Sequence, residues 1–428
     1  NCTISDNTAS SNGGGIYNYA ERSQSTASPT LTNCTISDNT ASSNGGGLYN
    51  KLDSGTASPT LTNCTISGNS AVHGGGIYND KGSSILTNCT ISGNSGIYGS
   101  GGVHSNRGSN ATFTNCTISG NISSRQGSGI SGGGTLTNCI VWGNKHSDYS
   151  HQILGSSTIT NSNIEGGWEG EGNIDSHPFF IKWVHWDLAP TSAGDFHLME
   201  GSPAINAGNN DAIDEPVDFD GEERIQNGTV DMGAYEGGEE APIYKVGSVA
   251  EEYAESWEPD FDHLQDALSA SGGGIQIWVA AGTYYPDTID GEDSGDQSST
   301  FTIPSYVKMY GGFIGTETDI NQRVNYGVGE DNETTLSGDI DQNDVSGRIT
   351  GSNALVMVTF TDVSDETVLD GFTITAGTKN GIVNRNGSPQ ITNCTIINIH
   401  VGLPFLGSDN AGEGGGIYNY AASNRTAS

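Results

Sequence analysis

Carboxylates are the most abundant reactive groups of this chain, and two short runs bring them close enough to act together. In DFDGEER, Asp218 and Asp220 stand two apart with Arg224 just beyond; in GDIDQND, Asp339, Asp341 and Asp344 stand within one loop's length. Aspartates at alternate positions suit an ion pair or oxygen coordination of a divalent cation, and calcium is the ion such sets hold. For Asp218 and Asp220 the expected use is pairing with Arg224, with calcium as the alternative. The second run departs from a full calcium loop: Asp344 stands where a turn glycine is needed, and Thr350 where a bidentate glutamate is needed. A third acidic stretch, PDTIDGEDSGD, holds Asp287, Asp290, Glu292, Asp293 and Asp296, either as calcium donors or as a plainly solvated loop. Cleavage of a polysaccharide would need two facing carboxylates for hydrolysis, or a base beside a neutralising charge for elimination. The first 160 residues supply neither: their acids are scattered, and His73, His104, His146 and His151 share no motif. GGFIGTET at 311–318 follows no phosphate-binding pattern.

The seven cysteines are the next candidates. TNC recurs at Cys34, Cys64, Cys89, Cys116, Cys139 and Cys394, and Cys2 opens the chain inside another copy. If the copies stack in register, all seven fall in one inward column with rungs about 4.8 Å apart. Small buried hydrophobes are the expected role. Disulfides between rungs are disfavoured by parallel Cβ directions, and thiolates in a line cannot surround a metal tetrahedrally. Ser162 replaces cysteine in a further copy, TITNSNI. The NCT triplets also match glycosylation sequons, though an asparagine at a bend is first a structural residue.

A second phrase alternates with the first: GGGIYN at 13–18, GGGLYN at 45–50, GGGIYN at 74–79, a degenerate GGVHSN at 101–106, and GGGIYN again at 414–419. Self-similarity at this period means a solenoid, and no repeat contains a helical pattern free of glycine. Thr-Leu-Thr reads as a strand, the following Asn as a bend tolerant of positive φ, and Cys-Thr-Ile-Ser as a second strand with Cys and Ile inward. Ile16 in GGGIYN supplies a third inward side. Three short strands per coil describe an all-β fold, a right-handed parallel β-helix.

This text resembles the right-handed parallel β-helix repeats of bacterial surface and secreted proteins, the polymorphic outer-membrane-protein-like adhesins. The resemblance covers 1–165 and 368–428, and it implies an extracellular or cell-surface location. Residues 173–236 resemble the module that closes such β-helices, through Asp218, Asp220, Gly221, Arg224, Asp231, Gly233, Ala234 and Glu236. Phe179, Phe180, Trp183, Trp186, Phe196 and Leu198 are expected to cover the last apolar layer. DFDHLQDALSA, capped by Asp260, and IQIWVAAGTYY resemble the opening of another β-helix. The expected organisation is therefore the closing coils of one β-helix over 1–170, a capping module over 171–236, a linker over 237–259, and a capping helix with the first coils of a second β-helix over 260–428. Residues 412–428 repeat the text of 13–28, which suggests a tandem array or an end-to-end fibre.

Charge narrows the partners. Residues 1–160 hold six acids and six bases, so the rest of the chain carries the whole net charge of −35. That excludes nucleic acid and anionic membranes as partners, and no apolar run is long enough to span a bilayer. The expected protein is structural or adhesive rather than enzymatic, associating with itself, with neighbouring repeats, or with carbohydrate on a cell surface, with calcium as its only candidate cofactor. A secreted polysaccharide-binding or polysaccharide-degrading β-helix is the alternative.

Overall fold

Each TIS triplet becomes a strand and lies parallel to the TIS of the next repeat. The computed structural model describes residues 1–106, 108–125, 127–146, 152–247, 257–289, 292–345, 349–400 and 415–421. His151, Asp290 and most of the repeated text at 412–428 lie outside them. The chain divides into two compact units, Asn1–Glu240 and Ala241–Ser428.

In the first unit the TIS sheet runs Thr3–Ser5, Thr35–Ser37, Thr65–Ser67, Thr90–Ser92, Thr117–Ser119, Ile140–Trp142 and Asn163–Ile164. Identical residues pair across coils, Ile4 with Ile36 and Ile66 with Ile91. The TLT sheet (Thr30–Thr32 to Thr158–Thr160) and the IYN sheet (Ile16–Ala20 to Ile153–Leu154) stack in the same way. A fourth sheet begins with Thr8–Ala9 and Thr40–Ala41. Each coil therefore has four strands rather than the three expected, because a two-residue strand is too short to show an inward–outward alternation. One leucine, phenylalanine or isoleucine from TLT, one isoleucine or valine from TIS and one aliphatic residue from IYN point inward per coil, giving the columns that begin Leu31, Ile36 and Leu48. Alternation places those three on one side of each strand and the threonines and tyrosines on the other. GGG closes the coil where no side chain fits: a Cβ on Gly46 would lie 2.4 Å from the carbonyl oxygen of Gly75 in the next coil.

Residues 171–176 bond to the last coil, Ile174 bridging to Asn163, but the rest of the module, 177–240, does not sit over the end of the solenoid as expected. Phe180–Lys182, Asp195–Met199 and Gly238–Glu239 form a small sheet that packs along the outer side of the TIS strands. Phe180, Val184, Phe196 and Leu198 bury against Ile140, which points out of the coil, with Trp142 and Trp183 partly buried beside them. The end of the coil core meets half-buried Trp168 instead. The covering follows a change in the repeat. Asp6 and Asp38 hold positive φ in the first two coils; the next four have Gly68, Gly93, Gly120 and Gly143 there. A Cβ on Gly93 would lie 2.2 Å from the carbonyl of Thr191, and one on Gly143 would lie 2.4 Å from the Trp183 ring nitrogen.

The second unit has three parallel strands per coil. Gln276–Ala280, Lys308–Phe313, Val368–Asp370 and Gln390–Thr392 belong to one sheet; Gly282–Tyr284 and Phe301–Thr302 begin the other two. The stretch expected to be a linker contributes structure to both units, as Gly238–Glu239 in the first and Ile243–Val246 in the second. Trp257, also within it, is buried against Trp278 and Phe313. The helix is shorter than expected, Leu264–Ala270, with His263 at its N-cap. Asp260, expected to cap it, instead accepts a hydrogen bond from the Lys245 N–H at 2.8 Å, while Phe261 bridges to Val246.

In each unit the stacked coils have the fold of a right-handed parallel β-helix.

Candidate functional site

The motif residues of the covering module form one buried network, but not with the expected partners. Asp218 Oδ1 accepts from the N–H groups of Asp220, Gly221 and Glu222, and its Oδ2 from Glu236 N. That carboxylate closes its own turn. Arg224 is 1% exposed and donates to the carbonyls of Ala234, Asp231 and Gly233, with Glu236 3.9 Å away. Burial pushes the Glu236 carboxyl up to about 7, against the pull of Arg224 and of the backbone donors. Asp231 accepts from Asn206 N and Gly237 N. Arg224 thus ties together a loop in which the Ala234 carbonyl also accepts from Phe219 N, while the Asp231 and Gly233 carbonyls take their donor from the guanidinium.

Asp220 pairs with His197 rather than with Arg224. His197 sits between two carboxylates, Nδ1 at 2.5 Å from Asp195 and Nε2 at 2.6 Å from Asp220, with its ring 4.0 Å from that of Tyr235. The hydrogen bond to Asp195, then that to Asp220, raises its pKa to about 9. A cationic imidazole with both nitrogens engaged clamps two segments; it has no lone pair with which to take a proton. Asp220 also edges a groove of about 430 Å³, where Val217, Phe219 and Gly221 overhang Asn33 and Thr35 of the second coil and Asn63 of the third.

The other acidic run likewise closes its own loop. Asp339 accepts from Asn343 N and Asp344 N, Asp341 from Ser352 N, and Asp344 from Thr350 N and the Asn353 side chain. Asp287 is buried and accepts from Gly295 N; the side chains of Glu292 and Asp293 lie outside the described residues. Among the described residues, no three His, Cys, Asp or Glu side chains converge as a metal site would require. At Asp218, Asp339 and Asp344 backbone and amide N–H groups reach both carboxylate oxygens.

The cysteines are free thiols. Cys34, Cys64, Cys89, Cys116 and Cys139 are buried, Cys394 is partly buried, and Cys2 is exposed, because it lies on the outermost coil edge. Each buried thiol donates to the carbonyl of the threonine two residues back, Cys89 to Thr87 at 3.2 Å and Cys139 to Thr137 at 3.3 Å. Ser162 keeps that bond, donating to Thr160 at 2.9 Å. The position therefore calls for a small donor at the bend as well as small size. Burial pushes the Cys116 and Cys139 thiols well up, away from the reactive thiolate.

Two features escaped the sequence reading. The first is an asparagine ladder at the opposite corner: Asn7, Asn39, Asn69, Asn94, Asn121 and Asn144 each donate from Nδ2 to the amide oxygen of the next rung at 2.8–3.0 Å, ending on Gln152. These asparagines keep the same intervals as the cysteines, which was the available signal. The bend asparagines before each cysteine do not form such a ladder: Asn88 donates to Val217 O and Asn138 to Asn209 O, both in the covering module.

The second is an aromatic stripe on the IYN sheet. Tyr17, Tyr49, Tyr78 and His104 stack with centroids 5.1, 5.5 and 5.1 Å apart. His73 and Tyr98 lie beside it, and the Arg125 guanidinium covers Tyr98 at 4.7 Å. Tyr49 and Tyr78 are nearly enclosed, whereas Tyr17 and Tyr98 are 49% and 44% exposed. Lys51, Asp53 and Tyr19 form a bonded trio at one end. Burial, then neighbouring His73, lowers the His104 pKa to about 4, so the stripe is neutral in ordinary solution. The repeat of Tyr after Gly-Gly-Gly-Ile was visible; that its rings would meet required the register.

Residues 1–166 match a family model described as right-handed beta helix region. Among curated proteins, none matches this chain. One solved structure, pectate lyase Pel9A, aligns at 14% identity and a TM-score of 0.28, over 53% of this chain and 65% of its own. The alignment thus spans just under two thirds of the lyase, and a likeness that loose carries no argument about activity.

Proposed function

We propose that this chain is part of an extracellular structural or adhesive β-helix, and that its contact surface is the tyrosine–histidine stripe. What carries the reading is exposure combined with order. The module covers the TIS face from the third coil on, while the IYN face presents Tyr17 at a position fixed by the coil register, with Tyr98 exposed in a bend beside the stripe. Aromatic faces stack on the polarised C–H faces of sugar rings as they do on other positive partners. The net charge of −35 disfavours anionic glycans, so the partner is a neutral polysaccharide of a cell surface or matrix. The resemblance of the repeats to surface adhesins supports the location. The repeated IYNY strand, Ile16–Ala20 and Ile417–Tyr420, supports coil-on-coil continuation in an array. His197, saturated by two aspartates, lends no support to cleavage.

Affinity electrophoresis of the whole chain in gels containing neutral polysaccharides tests this. Retardation should appear with at least one glycan and weaken about tenfold in Tyr98→Ala, a change of about 1.4 kcal/mol. Migration unchanged in every gel sinks the adhesive reading, and appearance of new reducing ends or unsaturated products would favour the enzyme.

A further inference from the structure

Asparagine followed by glycine is the pair in which a backbone nitrogen reaches a side-chain carboxamide most readily, because glycine puts no Cβ in the way. The chain holds five such pairs, beginning at Asn12, Asn44, Asn227, Asn380 and Asn386. The fold does not treat them alike. The attacking group is the glycine N–H, and in three pairs it is bound to the next coil: Gly13 N to Asn44 O, Gly45 N to His73 O and Gly381 N to Gly415 O, at 2.9–3.0 Å. In a fourth, Gly387 is buried, and a Cβ there would lie 2.7 Å from Val363 Cγ2. A glycine held in either way cannot swing onto its neighbour's carboxamide unless the coil opens.

Asn227 and Gly228 are the exception. Both are exposed and at positive φ, 52° and 94°, as in the two-residue turn that Asn-Gly favours. One long bond closes the turn, Thr229 N to Gln226 O at 3.3 Å. Among the described residues neither the Gly228 N–H nor the Asn227 carboxamide has a hydrogen-bond partner, and a Cβ on Gly228 would meet nothing within 4 Å. The same turn is tied to the module on both flanks. Asn210 Nδ2 donates to Gly228 O and its Oδ1 accepts from Val230 N, while Gln226 N donates to Glu236, the carboxylate beside Arg224. A change of backbone length at 227 is therefore passed to the buried network.

We propose that Asn227 is a site of spontaneous deamidation, and that its isoaspartyl product loosens the loop that Arg224 holds. Base removes the Gly228 amide proton; the nitrogen bonds to Asn227 Cγ, ammonia leaves, and a succinimide ring closes. Water then adds to either ring carbonyl, and the bond from that carbonyl to the ring nitrogen breaks. Opening at Cγ gives aspartate on the original backbone. Opening at the main-chain carbonyl gives isoaspartate, whose backbone runs through the former side chain and is one methylene longer. Water is consumed and ammonia released, with nothing oxidised or reduced. The longer backbone lies between Gln226 and Gly228, so the bonds to Glu236 and from Asn210 cannot both keep their places. The stripe proposed above lies on another part of the unit and has no share in this reaction.

The experiment holds the whole folded chain at mildly alkaline pH beside a urea-unfolded sample, and follows both by peptide mapping that separates Asn, Asp and isoAsp. Unfolded, the five pairs should convert at similar rates. Folded, Asn227 should convert at least about tenfold faster than any of the other four, a difference that needs about 1.4 kcal/mol of local protection elsewhere. Asn227→Gln, whose attack would have to close a larger ring, should abolish the early release of ammonia while the circular dichroism spectrum stays that of wild type. The isoaspartyl chain, once separated, should exchange the amides of 226–237 about tenfold faster than the fresh chain, with the coil amides unchanged. Another pair leading in the folded chain overturns the proposal, as does Asn227 surviving there intact or early ammonia undiminished in Asn227→Gln. Unchanged exchange in the isoaspartyl chain overturns its second half.

Discussion

The coils of 1–165 and those of 275–397 solve one packing problem in two ways. In the first unit each inward column repeats the same or a similar apolar residue, and the cysteine and asparagine corners repeat their hydrogen bonds, so every rung is nearly a copy of its neighbour. The second unit stacks unlike residues: Ile277 on Met309 on Leu369, and Phe301 on Val358 on Ile382. It adds an aromatic cluster of Trp257, Trp278 and Phe313, and places Arg323 over Tyr310 and Phe313 with Asp370 at 2.8 Å. Repetition makes stability a sum of similar neighbour terms, whereas the varied core depends on a few large side chains. A defect placed in a column of the first unit should therefore cost more than the same defect at its counterpart in the second.

The sharpest form of that contrast is a charge in the cysteine column. Cys89 is fully buried, while Cys394 occupies the matching TNC position only partly buried. Cys89→Asp should cost about 4 kcal/mol or more, and Cys394→Asp about 1 kcal/mol. Urea melts followed separately for each unit by hydrogen exchange check this. Equal losses would mean that burial is not what distinguishes the two columns.

The asparagine ladder offers a weaker version. Asn94 Oδ1 accepts from both the N–H and the Nδ2 of Asn69, and its own Nδ2 reaches Ile66 O and Asn121. Asn94→Ala strands several buried groups at once and should cost about 3 kcal/mol. Asn384 in the second unit donates to Gly387 O and Asn419, beside a partly exposed last strand, so Asn384→Ala should cost about half as much. A ladder loss no greater than the Asn384 loss, read from the same melts, would show that the rungs do not reinforce one another.

Much of the first unit was legible because a coil that repeats must repeat its residues. Leu31, Cys34 and Ile36 announced their columns through strict recurrence. The fourth strand recurs as Thr8–Ala9, Thr40–Ala41 and Ser70–Ala71, but two residues are too few to show the alternation of a strand; the site at which the module docks was not legible. The change from Asp38 to Gly68 did carry that information, because a residue at positive φ can be aspartate only where nothing covers it. The second unit gave up its inward strands but not its partners: Trp257 looked like linker, and Asp260 looked like a cap. Asp218 and Asp220 were legible as a motif and misleading as a site, since only the fold shows which N–H groups occupy their oxygens.

That change from Asp to Gly can be tested on its own terms. Gly93→Ala would put a Cβ against Thr191 at positive φ and should loosen the module by about 2 kcal/mol. Asp38→Ala, at the same φ but on an uncovered coil, should cost under about 1 kcal/mol. Faster proteolysis within 183–192 in Gly93→Ala alone is the expected readout; equal cleavage in both variants would detach the glycines from the covering.

The smallest expected effect is a difference in pH response between the coils and the module. His104, stacked on Tyr78 and beside His73 and Ser131, is held down to about 4. The unfolded chain takes up that proton near 6.5, so the stability it represents is whole above 6.5 and falls away as pH drops toward 4, by about 2 kcal/mol at pH 5. His197 runs the other way. Its pKa is raised to about 9, so its contribution is whole below 6.5 and is lost as pH rises through 9. Asp220 is nearly half exposed, and solvent screening leaves that contribution at about 1 kcal/mol. His177, also held near 4 by burial, adds to the acid side, so each effect is read as a difference. The gap between wild type and His104→Gln should open or close only below pH 6.5, and that between wild type and His197→Gln only above it. Parallel melting curves for wild type and both variants from pH 5 to 10 would leave the stripe and the clamp without the protonation states assigned to them.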